Sequence, residues 1–167
     1  DIKEAGEQLA EIVNETYKRK GKVIMPAFSL ERTQEVVYVL RDLKKEGKIP
    51  DIPVYIDSPL AVNITDIFRL HPECFDMEAN ELLGADEDPF GGEQCHYVRS
   101  VQASKRLNRM QEPAIIVSAS GMCEAGRILH HLLNNIEDSR NTILFTGYQA
   151  EGTLGRRIVE GTKQVKI

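Results

Sequence analysis

The sequence predicts an α/β domain of three layers, a mostly parallel sheet with helices on both faces. Three observations predict it. The apolar runs that read as strands are short, only about four residues each. They alternate with stretches of ten or more residues at helical spacing, which is the βαβ pattern and requires both sheet faces to be covered. The 167 residues are also enough to bury one proper core.

The elements follow in order. From Ile2 to Tyr17 the apolar positions Ile2, Ala5, Leu9, Ile12, Val13 and Tyr17 recur at helical spacing, and Lys18-Arg19-Lys20 before Gly21 suits a helix C-terminus. Lys22 to Met25 reads as a buried strand stopped by Pro26. Ser29 or Leu30 opens a second helix, with Val36, Val37, Leu40 and Leu43 inward and Gly47 at its end. Pro53 to Ile56 is the next strand. Asp57-Ser58-Pro59 turns into a helix that has Pro near its first position and runs to about Leu70. His71 to Leu83 reads as one or two helices, and the Gly/Pro/acid stretch from Gly84 to Glu93 as a mobile loop. A strand near His96-Tyr97-Val98 precedes a Ser100-capped helix through Leu107. Then come the strand Ala114 to Val117, a helix around Arg127 to Leu133, the strand Thr142 to Phe145, and a helix from Gly152 to Val159.

Composition narrows the function classes. Hydrophobic residues make up 41% and charged residues 28%, with no Trp, as in an ordinary folded domain. No run approaches the ~18 apolar residues a membrane span needs, and no signal-peptide pattern opens the chain. A net charge of −5 argues against a wholly basic surface for duplex nucleic acid, though the acids at Asp86, Glu87, Asp88 and Glu93 leave room for a local basic groove. Cys74, Cys95 and Cys123 are odd in number and lack zinc-ribbon spacing, which points to a reduced, cytoplasmic setting. The chain starts inside a helical pattern without Met and stops at Val165-Lys166-Ile167 as a further strand opens. The expectation is a single domain, residues 1–167, taken from a longer protein.

In a parallel sheet every strand's carboxyl end lies on one edge, where ligands bind. Four loops there are small and polar: Pro26 to Ser29, Asp57 to Ala61, Ser118 to Met122, and Thr146 to Gln149. Each leads into a helix whose free N–H groups suit an anion, and Arg32 and Arg127 could add charge-assisted contacts. The same residue types also serve as ordinary caps and tight turns, so the pattern alone leaves both readings open. No loop has P-loop or G-x-G-x-x-G spacing. His130 and His131 are adjacent, so on a helix they diverge by about 100° and cannot chelate one ion. His71 with Cys74, and Cys95 with His96, lack further partners. No Ser-His-Asp arrangement assembles around Ser120 and His130, since an orienting acid is missing.

The loop sequences resemble those of the β-CASP ribonucleases, the metallo-β-lactamase-fold nucleases typified by the cleavage and polyadenylation endonuclease and its bacterial and archaeal relatives. Gly21 to Glu35 resembles the run G-K-V-hydrophobic-x-P-x-F-x-x-x-R-x-Q-E. Asp57 to Ala61 resembles D-S-P-hydrophobic-A. Asp88-Pro89-Phe90, Tyr97-Val98 and Ser104-Lys105-x-Leu107-Asn108 resemble the family's middle segment. Ser120-Gly121-Met122 with Gly126 to Leu132 resembles S-G-M…G-R-I-L-H-H-L, and Thr146 to Gln149 with Gly152 to Gly155 completes the ordered set. The bacterial members are the nearest in pattern.

The resemblance implies a Rossmann-like β-CASP domain, the lid that closes over a metal site and positions single-stranded RNA. The H-x-H-x-D-H motif that mainly holds the family's two zinc ions is not in this sequence, nor are the E-S-T-Y-G, S-x-H-A-D and H-G-E segments. No cofactor is therefore expected within the chain, and two zinc ions are expected in the full-length enzyme. Implied partners are single-stranded RNA and the parent's metallo-β-lactamase domain, with no membrane, and a homo-oligomer of the parent is allowed. On this reading Ser29, Arg32, Ser58, Ser120, Gly121, Met122 and Arg127 face the cleft, with Tyr148 and Gln149 beside it. Arg32 has a second use, an ion pair with Glu35 or Asp57, and Met122 suits the core as well as a contact. The other function classes are a self-standing phosphate or nucleotide-binding module and an interaction domain without a ligand.

Overall fold

The computed structural model describes residues 2–75, 77, 88–91 and 95–167. The strands are β1 Val23–Pro26, β2 Val54–Ile56, β3 Cys95–Tyr97, β4 Ile115–Ser118 and β5 Thr142–Ile143. They form a five-stranded sheet in the order β3-β2-β4-β1-β5, and every pairing is parallel. β1 and β4 are buried at each of their positions, as strands covered on both faces must be. The expected mostly parallel, three-layer architecture is thus present, with every strand among the described residues parallel.

Among the described residues the bounded helices are α1 Ile2–Lys18, α2 Arg32–Lys45, α3 Pro59–Leu70, α4 Val101–Arg109, α5 Ile128–Asn135 and α6 Leu154–Val159, and a 3₁₀ turn lies at Pro72–Cys74. Two apolar clusters lie against opposite sheet faces. One joins Leu9 and Val13 of α1, Val37 and Leu40 of α2 and Ala61 of α3 to Val23, Met25, Val54, Ile56, Ile115 and Val117. The other joins Leu107 of α4, Ile128 and Leu132 of α5 and Leu154 of α6 to Ile24 and Ile116. Consecutive strand residues point to opposite faces, so Ile24 and Met25 serve different clusters.

Topology follows from these faces. The chain leaves β1 and β2 toward the first face and leaves β4 and β5 toward the second. β4 lies between β1 and β2, so its loop departs in the direction opposite to both neighbours. Crevices of this kind, at the carboxyl edge beside a change of winding direction, are where open α/β sheets hold ligands.

Several element ends differ from the sequence reading. α2 begins at Arg32, not at Ser29 or Leu30, because Glu31 adopts φ 66 and residues 28–31 form a tight turn. β5 ends at Ile143 instead of Phe145, since it pairs only with β1 at the sheet edge. The last helix begins at Leu154, where Thr153 caps it by accepting from the Arg156 N–H, and α5 runs on to Asn135. The Ser100 cap and Pro59 at the first position of α3 match expectation, and Ser58 caps α3 by accepting from the Ala61 N–H. Of the stretch His71 to Leu83, residues 71–75 and 77 are described and the rest lie outside the described residues. So does most of the loop expected from Gly84 to Glu93.

Candidate functional site

The centre of the carboxyl edge is Asp57, the residue immediately after β2, which has no exposed surface. Its carboxylate accepts from Ser104 Oγ of α4 at 2.6 Å, from Arg127 Nη1 at 2.7 Å and from His131 Nε2 of α5 at 2.7 Å. Ser118 Oγ, at the end of β4, donates to the Asp57 carbonyl at 2.8 Å. Burial pushes the Asp57 carboxyl up, but hydrogen bonds from His131, Ser104 and Arg127, with the attraction of His131, outweigh it. The group sits below the ordinary carboxylate range. Arg127 also donates to the carbonyls of Val98 at 3.2 Å and Arg99 at 2.8 Å, so it ties the ends of β2, β3 and β4 together.

The loop after β1 is held from below. Thr33 Oγ1 donates to the Phe28 carbonyl at 2.7 Å, and the buried Gln34 amide donates to the Ser29 carbonyl at 3.2 Å and to Thr65 Oγ1 at 2.9 Å. Ser29 and Ser58 share a hydrogen bond at 3.1 Å, which joins the β1 and β2 loops. Ser58 also accepts from the Ala61 N–H at 3.3 Å as the cap of α3.

The loop after β4 folds on itself. Ser120 Oγ accepts from the Glu124 and Ala125 N–H groups at 3.1 and 3.3 Å. Gly126 closes this loop at φ 86, where an added Cβ would stand 2.5 Å from the Ala119 carbonyl oxygen. At Gly121 an added Cβ would lie 2.8 Å from the Phe28 ring, so the glycine lets the β1 loop rest on the β4 loop. The buried Gln149 Nε2 then donates to the Gly121 carbonyl at 3.0 Å and to those of Gly147 and Tyr148 at 3.2 Å. Glu124 accepts from the Leu154 N–H at 2.6 Å, and the Met122 carbonyl accepts from Gly155. The β4 and β5 loops are stapled together.

The predicted site residues therefore meet at one edge, but in two roles. Ser29, Ser58, Ser120, Gly121 and Gln149 build and brace the loops. Arg127 is largely buried and points at Asp57. Arg32 pairs with Glu35 at 2.8 Å on the surface, while Asp57, its other proposed partner, is taken by Arg127. That exposed pair is worth little and leaves Arg32 exchangeable for another anion. Met122 is half-buried and Tyr148 stands out, 71% exposed. Phe28 at 48%, Leu30 and Leu60 are exposed on the same edge.

Sequence reasoning passed over Asp57 as a hub, along with Ser104, His131, Thr33 and Gln34. One signal was available: His131 shares the inward spacing of Ile128, Leu132 and Asn135, all of them buried. Among the described residues no three His, Cys, Asp or Glu side chains gather as metal donors, and His131 is committed to Asp57. The described residues do not fit a zinc site.

An open, all-parallel α/β domain with its ligand edge braced from within is the class that fold and site define. Residues 33–158 match the family described as Beta-Casp domain. The chain belongs to the β-CASP family. It is 35% identical over 165 residues to ribonuclease TTHA0252 of Thermus thermophilus, with 99% of this chain and 38% of that protein covered. It is 36% identical over 167 residues to the transcription termination factor FttA of Methanosarcina mazei, covering 99% of this chain and 26% of the relative. An RNase J-like protein of Methanocaldococcus jannaschii is 37% identical over 163 residues, with 95% and 36% covered. The chain thus spans between about a quarter and two fifths of the length of these relatives.

Proposed function

We propose that this chain is the substrate-clamping domain of a zinc-dependent, RNA-processing nuclease and is inactive by itself. The metal ions and the metallo-β-lactamase domain that holds them belong to the rest of the parent protein, and this domain forms the facing wall of the cleft. The relatives' names, a ribonuclease and an RNase J-like protein among them, support an RNA substrate.

The observation that carries the reading is the pairing of a rigid polar edge with exposed aromatic side chains. Tyr148 and Phe28 stand on loops whose backbones are pinned by Gln149, Thr33 and Gln34. Bases of single-stranded RNA stack on such rings, and pinned loops lose little freedom when they bind. Arg32 can exchange Glu35 for a phosphate. Asp57 and Arg127 act beneath this surface and set the positions of the loop ends without touching substrate.

The test uses the full-length protein and a single-stranded RNA substrate. Cleavage that depends on zinc is expected. Tyr148→Ala should raise KM about tenfold, the loss of one stacked base, with kcat changed less. Absence of RNA cleavage by the full-length protein, or an unchanged KM in the variant, would remove the reading.

A further inference from the structure

Charge is divided unevenly between the two sheet faces. The helices on the second face, α4, α5 and α6, contain Lys105, Arg106, Arg109, Arg156 and Arg157 and no Asp or Glu. The helices on the first face mix both signs, with Glu4, Glu7, Glu11 and Glu15 in α1 alone. This occurs in a chain whose net charge is −5, so these three helices run against the overall balance.

The cations are most concentrated on α4. Gln102, Lys105, Arg106 and Arg109 are all exposed, and their spacing places them on one side of the helix, opposite the buried Ser104 and Leu107. None of the three cations is paired with a carboxylate among the described residues, whereas Arg156 is held by Glu160 at 2.6 Å and Arg140 by Asp138 at 2.6 Å. A helix that carries only unpaired cations on its outer side repels itself slightly and gains from a polyanion.

The position of α4 adds a direction. Ser100 caps it directly after β3, at the carboxyl edge, and its nine residues extend roughly 13 Å along the flank of the domain. A strand leaving the candidate site at the β3 end would pass onto this row. The row itself has long flexible cations and an amide but no aromatic ring, which suits phosphates rather than bases. It also lacks the buried aromatic anchor that a protein partner would use.

We propose that the outer face of α4, through Lys105, Arg106 and Arg109, is a second contact surface for single-stranded RNA, outside the cleft edge. It grips the phosphate chain without regard to sequence and adds affinity for substrates long enough to reach it. This rests on the RNA-processing reading above.

The experiment measures binding of the full-length protein to two single-stranded RNAs over a salt series, a short one confined to the cleft and a long one. The variant Lys105→Gln/Arg106→Gln/Arg109→Gln should weaken the long RNA about tenfold or more at low salt and leave the short one unchanged. Its slope of log affinity against log salt should become shallower by about 2, from three lost phosphate contacts on a single strand. Arg109→Gln alone should change the slope by about 0.7, which keeps the test informative should the triple variant fold poorly. Lys18→Gln/Lys20→Gln, on the opposite face, should not alter it. An unchanged slope, or an equal loss for both RNAs, overturns the proposal while the clamp reading stands. Wild-type protein that binds neither RNA overturns both.

Discussion

Burying a carboxylate is costly unless donors surround it, and Asp57 has three side-chain donors on its two oxygens. Removing the charge leaves Arg127 aimed at a neutral group in a nearly closed space. Asp57→Asn should therefore destabilise the chain by roughly 3 kcal/mol, read from urea unfolding. The acid response follows from the lowered folded-state pKa. Asp57 contributes stability that is present above the unfolded carboxylate value of about 3.9, and is lost as pH falls through the lower folded value. The wild-type chain should lose this contribution below about pH 4, and the acid limb of Asp57→Asn should be correspondingly flatter. An acid limb identical in both chains would mean that Asp57 is not the buried anion described.

Helix starts and loop ends carry the site at the next scale, and Ser58 serves two of them. It caps α3 and meets Ser29 of the neighbouring loop. Ser100 caps α4 through the Ala103 N–H, and its side chain has no other hydrogen bond among the described residues. Ser100→Ala should cost about 1 kcal/mol, the ordinary value of a cap. Ser58→Ala should cost about 1 kcal/mol more, because the contact between loops is lost with it. The difference, measured by thermal or urea unfolding of the two variants, isolates the link between the β1 and β2 loops. Equal costs would show that the Ser29 contact adds no stability. The Ser100 cap and the place of Pro59 were readable from the sequence because such signals are local: each lies within one turn of the apolar spacing it introduces. The late start of α2 was not readable, since Glu31 at φ 66 is held by the turn around it and not by its own residue type.

Over the whole molecule the same division between local and distant explains what the sequence disclosed. Short apolar runs and helical spacing specified a parallel three-layer sheet. They did not specify strand order, because one buried strand such as Val23–Pro26 pairs as well as another such as Ile115–Ser118. The loops at the carboxyl edge were identified as a group, yet the partners within that edge lie 70 and 74 residues apart at Arg127 and His131, beyond any spacing rule. Distance in sequence also bears on the metal. The chain's histidines are engaged singly or exposed: His131 meets Asp57, His71 meets Glu73 at 2.8 Å, His96 stacks near Tyr55, and His130 faces outward. A ligand that binds only the folded state raises its stability in proportion to the logarithm of its excess over Kd. The isolated chain should then melt at the same temperature with zinc and with a chelator, and equilibrium dialysis should find no stoichiometric zinc. In the full-length protein the same chelator should abolish RNA cleavage. A rise of several degrees with zinc in the isolated chain would instead assign a metal site to this domain, and the division of labour proposed for the cleft would have to be redrawn.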